Sequence, residues 1–155
     1  MNLESLFSAA GALVMPGWLL LVFLPGWRWT TALITPIVLP AALAVIYMAL
    51  MVSNFAEAPG GFSAFNSLAG VKGLFQVDAL LLGGWIHYLA FDLFIGSWEV
   101  RDARRLKIPH LMVVPCLLGT FLLGPIGLLA YLCLRFGVRR QWMVDEAAAP
   151  VIELN

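Results

Sequence analysis

Apolar stretches long enough to cross a bilayer dominate this chain, and they restrict its fold more than any motif does. About 20 apolar residues in a helix span the roughly 30 Å hydrocarbon core. Within that core every backbone N–H and C=O needs a partner inside the protein, so segments of this length are helices. Composition agrees: 62% of the 155 residues are hydrophobic and 12% are charged, and the mean hydropathy is +0.93. Soluble domains carry about 25% charged residues. The reading is an all-α polytopic membrane protein, surrounded by membrane lipid. Nine basic and nine acidic residues cancel, so no charge excess points to a nucleic-acid partner.

Four transmembrane helices are expected, at about 3–24, 32–53, 77–98 and 109–134, in one domain over residues 1–143. A flexible tail over 144–155 follows. Pro16-Gly17 predicts a kink in the first helix. Trp27 and Trp29 flank Arg28 in a tight turn and suit the membrane interface. Pro36 and Pro40 interrupt the second helix. Pro115 and the GPIG run, Gly124–Gly127, are break points in the fourth. Between the second and third helices, Phe62, Phe65, Leu68 and Phe75 recur at near-helical spacing with Lys72, which predicts an interfacial helix. The start, MNLESLF, carries an acid and no basic region, unlike a signal or transit peptide. A bacterial inner membrane is the expected location, with a plastid membrane the alternative for a plant or algal chain.

Four spans leave the orientation poorly specified. Arg28, Arg101, Arg104, Arg105 and Lys107 would share one side, and Lys72, Arg135, Arg139 and Arg140 the other. The dense RDARRLK run slightly favours a cytoplasmic turn between helices three and four. Cys116 and Cys133 would lie about 25 Å apart on one straight helix, too far to bridge.

The chemistry concentrates in WIHYLAFDLFIGSW, Trp85–Trp98. An ionisable residue at membrane depth costs about 2.5–3.5 kcal/mol on insertion scales, which makes it a functional-site candidate. Asp92 is the first such candidate. Burial favours the uncharged carboxylic acid, which can donate a proton. His87 is the second, as a base or relay. Counted inward from the turn, Asp92 lies about 9 Å deep beside Pro115-Cys116, and His87 about 16 Å deep beside Thr120. Asp78, Trp85, Asp92 and Glu99 repeat every seven residues and share one stripe of the third helix, whereas His87 sits about 140° away from Asp92. His110 and Asp102 mark a polar gate at the turn. Trp85, Tyr88, Phe91, Trp98, Thr120, Phe121 and Tyr131 are candidates to line a slot for a long apolar ligand. Glycines 83, 84, 96, 119, 124 and 127 permit close helix approach. No compact metal-ligand motif and no cofactor motif is legible.

From Trp85 to Phe136 the order is WIHYLAFDLFIGSW, a charged turn with RDA, then IPH, PCL, FLLGPIGLLAY and a closing arginine. With FNSLAGVKGLF upstream, this resembles the neoxanthin-synthase-like family, the four-helix membrane proteins of the abscisic-acid-deficient-four type. The resemblance implies a four-helix fold and a carotenoid or related isoprenoid lipid as partner. For plant members it implies conversion of an epoxy-xanthophyll to an allenic one, a redox-neutral isomerisation that needs an acid at the epoxide oxygen and a base at a C–H. His87, Asp92, Asp102, His110, Pro115, Gly124 and Pro125 are the matching positions. The alternative is a non-catalytic carotenoid- or lipid-binding accessory protein. A homo-oligomer or a pigment-enzyme partner is compatible with either.

Overall fold

The computed structural model describes residues 2–140, and among them there are helices and turns but no strands. The tail expected at 144–155 lies outside the described residues. Helix α1, Leu3–Phe23, begins at an Asn2 cap whose side chain accepts from the Glu4 N–H, and it runs unbroken through Pro16. Trp27 lies in the turn that follows, and Arg28 and Trp29 already open the next helical segment.

The second span opens with π-helical turns, Thr30–Val38, and continues as α2, Leu39–Asn54. Pro36 and Pro40 each lack an N–H, which removes regular helical donors. The wider winding and a side chain take up the carbonyls: Leu39 N–H donates to Ile34 O, and Thr35 Oγ1 donates to the Thr30 carbonyl at 2.7 Å. The connection after α2 holds short 3₁₀ turns and one brief helix, α3, Leu68–Leu74. Phe62, Phe65 and Leu68 are exposed there, and Phe55 packs on the Phe62 ring at 4.8 Å. The interfacial helix expected from this segment is thus reduced to about two turns.

Helix α4, Asp78–Arg105, is the axis of the molecule and packs against α1, α2 and the C-terminal elements. It extends seven residues beyond the expected end at Trp98. Its charged last turns find partners: Asp102 pairs with Arg105 and Arg135, and Arg104 donates to the Pro25 carbonyl. A left-handed Lys107 (φ 55°) then stops it, with Ile108 N–H donating to Ala103 O and Lys107 N–H to Arg104 O. This is the Schellman pattern that closes helices. Gly96 receives the Trp18 ring, and Gly17 receives Leu93, so α1 lies close along α4.

The largest difference from expectation is in the last apolar segment. It does not form one helix over 109–134. Helix α5, His110–Leu123, ends at Gly124, and α6, Pro125–Arg139, runs back alongside it. Gly124 takes φ 51°, a conformation that favours glycine, and Pro125 has no N–H to continue the helix. Gly119 and Gly127 then allow backbone to meet backbone: a Cβ on Gly127 would overlap the Thr120 backbone nitrogen. Arg139 Nη2 donates to the Lys107 carbonyl at 2.6 Å, so both ends of the hairpin lie at the same end of the bundle. Fourteen residues reach about 21 Å, short of the roughly 30 Å of hydrocarbon. Among the described residues three helices, Leu3–Phe23, Thr30–Glu57 and Asp78–Arg105, are long and apolar enough to cross a membrane, and the last apolar segment is a helical hairpin. The reversal also cancels the straight-helix separation of Cys116 and Cys133, although both thiols are free.

Candidate functional site

The seven-residue stripe of α4 organises the polar interior. Because α4 is longer than expected, its register against α5 shifts. Thr120 meets Glu99 rather than His87, and Gly124 meets Asp92. Reading along the stripe from its N-terminal end, Asp78 is exposed, Trp85 lines a cleft, Asp92 faces the hairpin tip, and Glu99 is fully enclosed.

The cleft measures about 610 Å³ and lies between the N-terminal ends of α1 and α4. Asn2, Glu4 and Asp78 form a polar mouth, and Phe7, Leu81 and Trp85 form apolar walls. The α5–α6 hairpin turns back at Gly124, beside Tyr88 and Asp92, before reaching this end of the bundle. At the inner end, Trp85 stacks on Tyr88 with ring centroids 5.3 Å apart. Tyr88 and Asp92, one helical turn apart, both abut Gly124. A Cβ there would sit 3.1 Å from an Asp92 carboxyl oxygen and 3.2 Å from the Tyr88 ring. Asp92 is half-buried, and its Oδ2 is shut off from the surface without a hydrogen-bond partner. Unpartnered buried oxygens are uncommon in folded proteins, and they concentrate where chemistry or a ligand needs them.

Behind the tip, Glu99 accepts from Thr120 Oγ1 at 2.8 Å and keeps Oε2 buried and unpartnered. One turn further, Asp102 is fully engaged. Tyr131 donates to its Oδ2 at 2.6 Å, Arg135 at 2.8 Å, and Arg105 donates to Oδ1 at 2.6 Å. Arg135 is 1% exposed, so this ion pair is inside the protein. A buried carboxylate held by three donors fixes structure, and Asp102 here locks the returning α6 onto α4.

His87 and Asp92 do not share this cleft. His87 is exposed on the other side of α4, stacked on Phe91 at 4.5 Å and near Tyr47 at 5.8 Å. That side carries an apolar groove of about 410 Å³ between Pro36, Pro40 and Ala44 on one helix and Ala90, Phe91 and Phe94 on the other. His87 itself lines a smaller neighbouring hollow of about 300 Å³ beneath Phe65 and Phe75. His110 also stands apart, its Nε2 hydrogen-bonded to the Val22 carbonyl at 2.9 Å, where it ties α5 to the end of α1.

Of the residues expected to line a slot, Trp85 lines the cleft, Tyr88 stacks on Trp85, and Phe91 is in the opposite groove. The others pack the interior: Trp98 meets Tyr131 edge-on at 5.5 Å, Phe121 meets Trp18 at 5.3 Å, and Thr120 serves Glu99. Sequence reasoning counted Arg135 among the charges at the membrane surface and missed its buried pairing with Asp102. Its signal was available as an arginine four residues after Tyr131 in an otherwise apolar run, a spacing that puts both side chains on one helical face.

No curated protein and no solved structure matches the chain. The family model described as ABA DEFICIENT 4-like matches residues 5–131, from the first turns of α1 to Tyr131 in α6, so Arg135 lies beyond the match. Covering most of the chain and every spanning helix, that match means that the protein belongs to the ABA DEFICIENT 4-like family.

Proposed function

We propose that this protein is a membrane-embedded isomerase of an epoxy-xanthophyll or a related isoprenoid lipid, with Asp92 as its proton-transferring group. Family membership and the long apolar helices fit a membrane protein of the carotenoid/xanthophyll pathway. The observation that carries the reading is the unpartnered, buried Asp92 oxygen beside Tyr88 and Gly124, on the same stripe of α4 as Trp85, which walls the α1–α4 cleft seven residues earlier. An elongated apolar substrate would lie against Phe7 and Trp85 with its oxygenated end at Asp92.

The step balances with one carboxyl group. Asp92, as the carboxylic acid, gives its proton to the epoxide oxygen and one C–O bond breaks. The carboxylate then removes a proton from the neighbouring vinylic carbon. That C–H electron pair completes an allene, the former epoxide oxygen remains as a hydroxyl, and the acid is restored. No oxidant or reductant is consumed. His87, across the helix, takes no part in this scheme.

The test expresses wild type and Asp92→Asn in a carotenoid-producing bacterium that supplies epoxy-xanthophylls, with pigments compared by chromatography and mass detection. The expected result is a new peak of unchanged mass with wild type, reduced at least 100-fold with folded Asp92→Asn. An undiminished peak with Asp92→Asn overturns the assignment. The second reading, a non-catalytic pigment-binding or accessory protein, draws on the groove beside Phe91 and Phe94. Stoichiometric pigment retained by both proteins without a new product would favour it.

A further inference from the structure

We infer that the end of the bundle bearing Arg28, Lys107 and Arg139 is a seat for the anionic phospholipid headgroups of the cytoplasmic leaflet, and that the α1–α4 cleft walled by Trp85 therefore opens toward the opposite leaflet. This stands whether or not the cleft is catalytic. The argument begins with the hairpin. All nine lysines and arginines of the chain are among the described residues. With the reversal at Gly124, Arg135, Arg139 and Arg140 return to the end already occupied by Arg28, Arg101, Arg104, Arg105 and Lys107. The assembly is direct: Arg104 Nη1 donates to the Pro25 carbonyl at 2.9 Å, and Arg139 reaches the Lys107 carbonyl.

Lys72 alone remains at the other end, with Glu4, Glu57 and Asp78. A near-even split thus becomes eight against one. Short loops rich in lysine and arginine stay on the cytoplasmic side during insertion, and acidic residues contribute little to that choice. Among the described residues, the carboxylate nearest the cationic end, Asp102, is already taken up by Arg105 and Arg135. Arg28, Arg101, Arg104, Lys107, Arg139 and Arg140 are all exposed, and Trp27 and Trp29 stand exposed beside them. Exposed cations with interfacial tryptophans are what a negatively charged headgroup layer attracts.

The test uses the full chain in a bacterial inner membrane, with single cysteines at Gly26, Asn66 or Gly137 in a Cys116→Ser/Cys133→Ser background. These sites leave every charge in place, and Gly26 and Gly137 have open space around them. A membrane-impermeant maleimide is applied to spheroplasts before and after permeabilisation. The expected result is that Asn66→Cys labels from outside, while Gly26→Cys and Gly137→Cys label only after permeabilisation. Gly137→Cys labelling together with Asn66→Cys would overturn the inference, because the last segment would then cross. Outside labelling of Gly26→Cys would overturn it by inverting the protein. Arg28→Gln/Arg104→Gln/Arg140→Gln should split the population between both orientations, and unchanged labelling there would remove the headgroup role. A green fluorescent protein fused after Asn155 of the native chain reads the same side without any internal change, and absence of fluorescence with the fusion intact would also refute the inference.

Discussion

Helix α4 and the α5–α6 segment are nearly equal in length and both largely apolar, yet one runs on as a single helix long enough to cross a membrane and the other turns back. Helix α4 has 28 residues, and α5 and α6 have 14 and 15. Helix α4 contains ionisable residues at depth but no proline, and its hydrogen bonding is continuous. The α5–α6 segment carries fewer charges and would rank as the better span by hydropathy. Gly124-Pro125 decides otherwise, because the turn supplies a left-handed residue and a missing donor at one point. The paired Gly119 and Gly127 then make the folded-back form close-packed, and the Asp102 knot gives the returning helix a polar destination. The contrast teaches that hydropathy measures whether a segment can enter a membrane, while backbone breaks and buried polar partners determine whether it leaves on the far side.

The sharpest way to break this contrast is Gly127→Val. The side chain would occupy the position of the Thr120 backbone, so the hairpin cannot close as it stands. Overpacking typically costs about 1–3 kcal/mol, and a backbone clash belongs at or above the top of that range. Loss of the monodisperse peak in detergent, or a fall in the thermal midpoint of at least about 10 °C, is expected. A variant as stable as wild type would mean that α5 and α6 are not in backbone contact.

Arg135→Met tests the polar destination. Removing one partner of a buried pair costs about 3–5 kcal/mol, and here Arg105 and Tyr131 remain to hold Asp102, which places the loss near the lower bound. Pairing it with Asp102→Asn in a double-mutant cycle should give a combined loss well below the sum of the two single losses. Strict additivity in the unfolding measurement would separate the two residues.

The smallest effect concerns the end of α4. Lys107 holds a left-handed conformation that glycine adopts without penalty. Lys107→Gly is expected to raise stability by about 0.5–1 kcal/mol, because Arg139 uses only the backbone carbonyl there. A loss of stability in thermal unfolding would assign the lysine side chain a contact of its own.

Much of the fold was legible in advance for a physical reason. The first and second spans and the core of the third follow from runs of apolar residues, and the break points at Pro36, Pro40 and Gly124–Gly127 were visible as residues that cannot continue regular helix. The seven-residue stripe was legible too, since helical period is local. What was not legible was the size of each break. Pro16 leaves α1 unbroken and Pro36 is absorbed by π-helical turns, while Gly124-Pro125 reverses the chain. These outcomes differ through their neighbours: only at Gly124 do glycines at 119 and 127 let the two arms meet.

The candidate site divides in the same way. Asp92, Trp85 and Tyr88 could be singled out as polar or aromatic residues at membrane depth, and their shared neighbourhood followed from helical spacing. Which residues lie opposite them could not, because the register depended on where α4 ended and on the direction of α6. Period and hydropathy, read from one residue to the next, settle that the protein is helical, membrane-embedded and polar along one stripe of its longest helix. Only the tertiary arrangement decides that His87 looks away from Asp92, that Glu99 takes Thr120, and that eight cations gather at one end. Each of these depends on contacts between residues far apart in the chain.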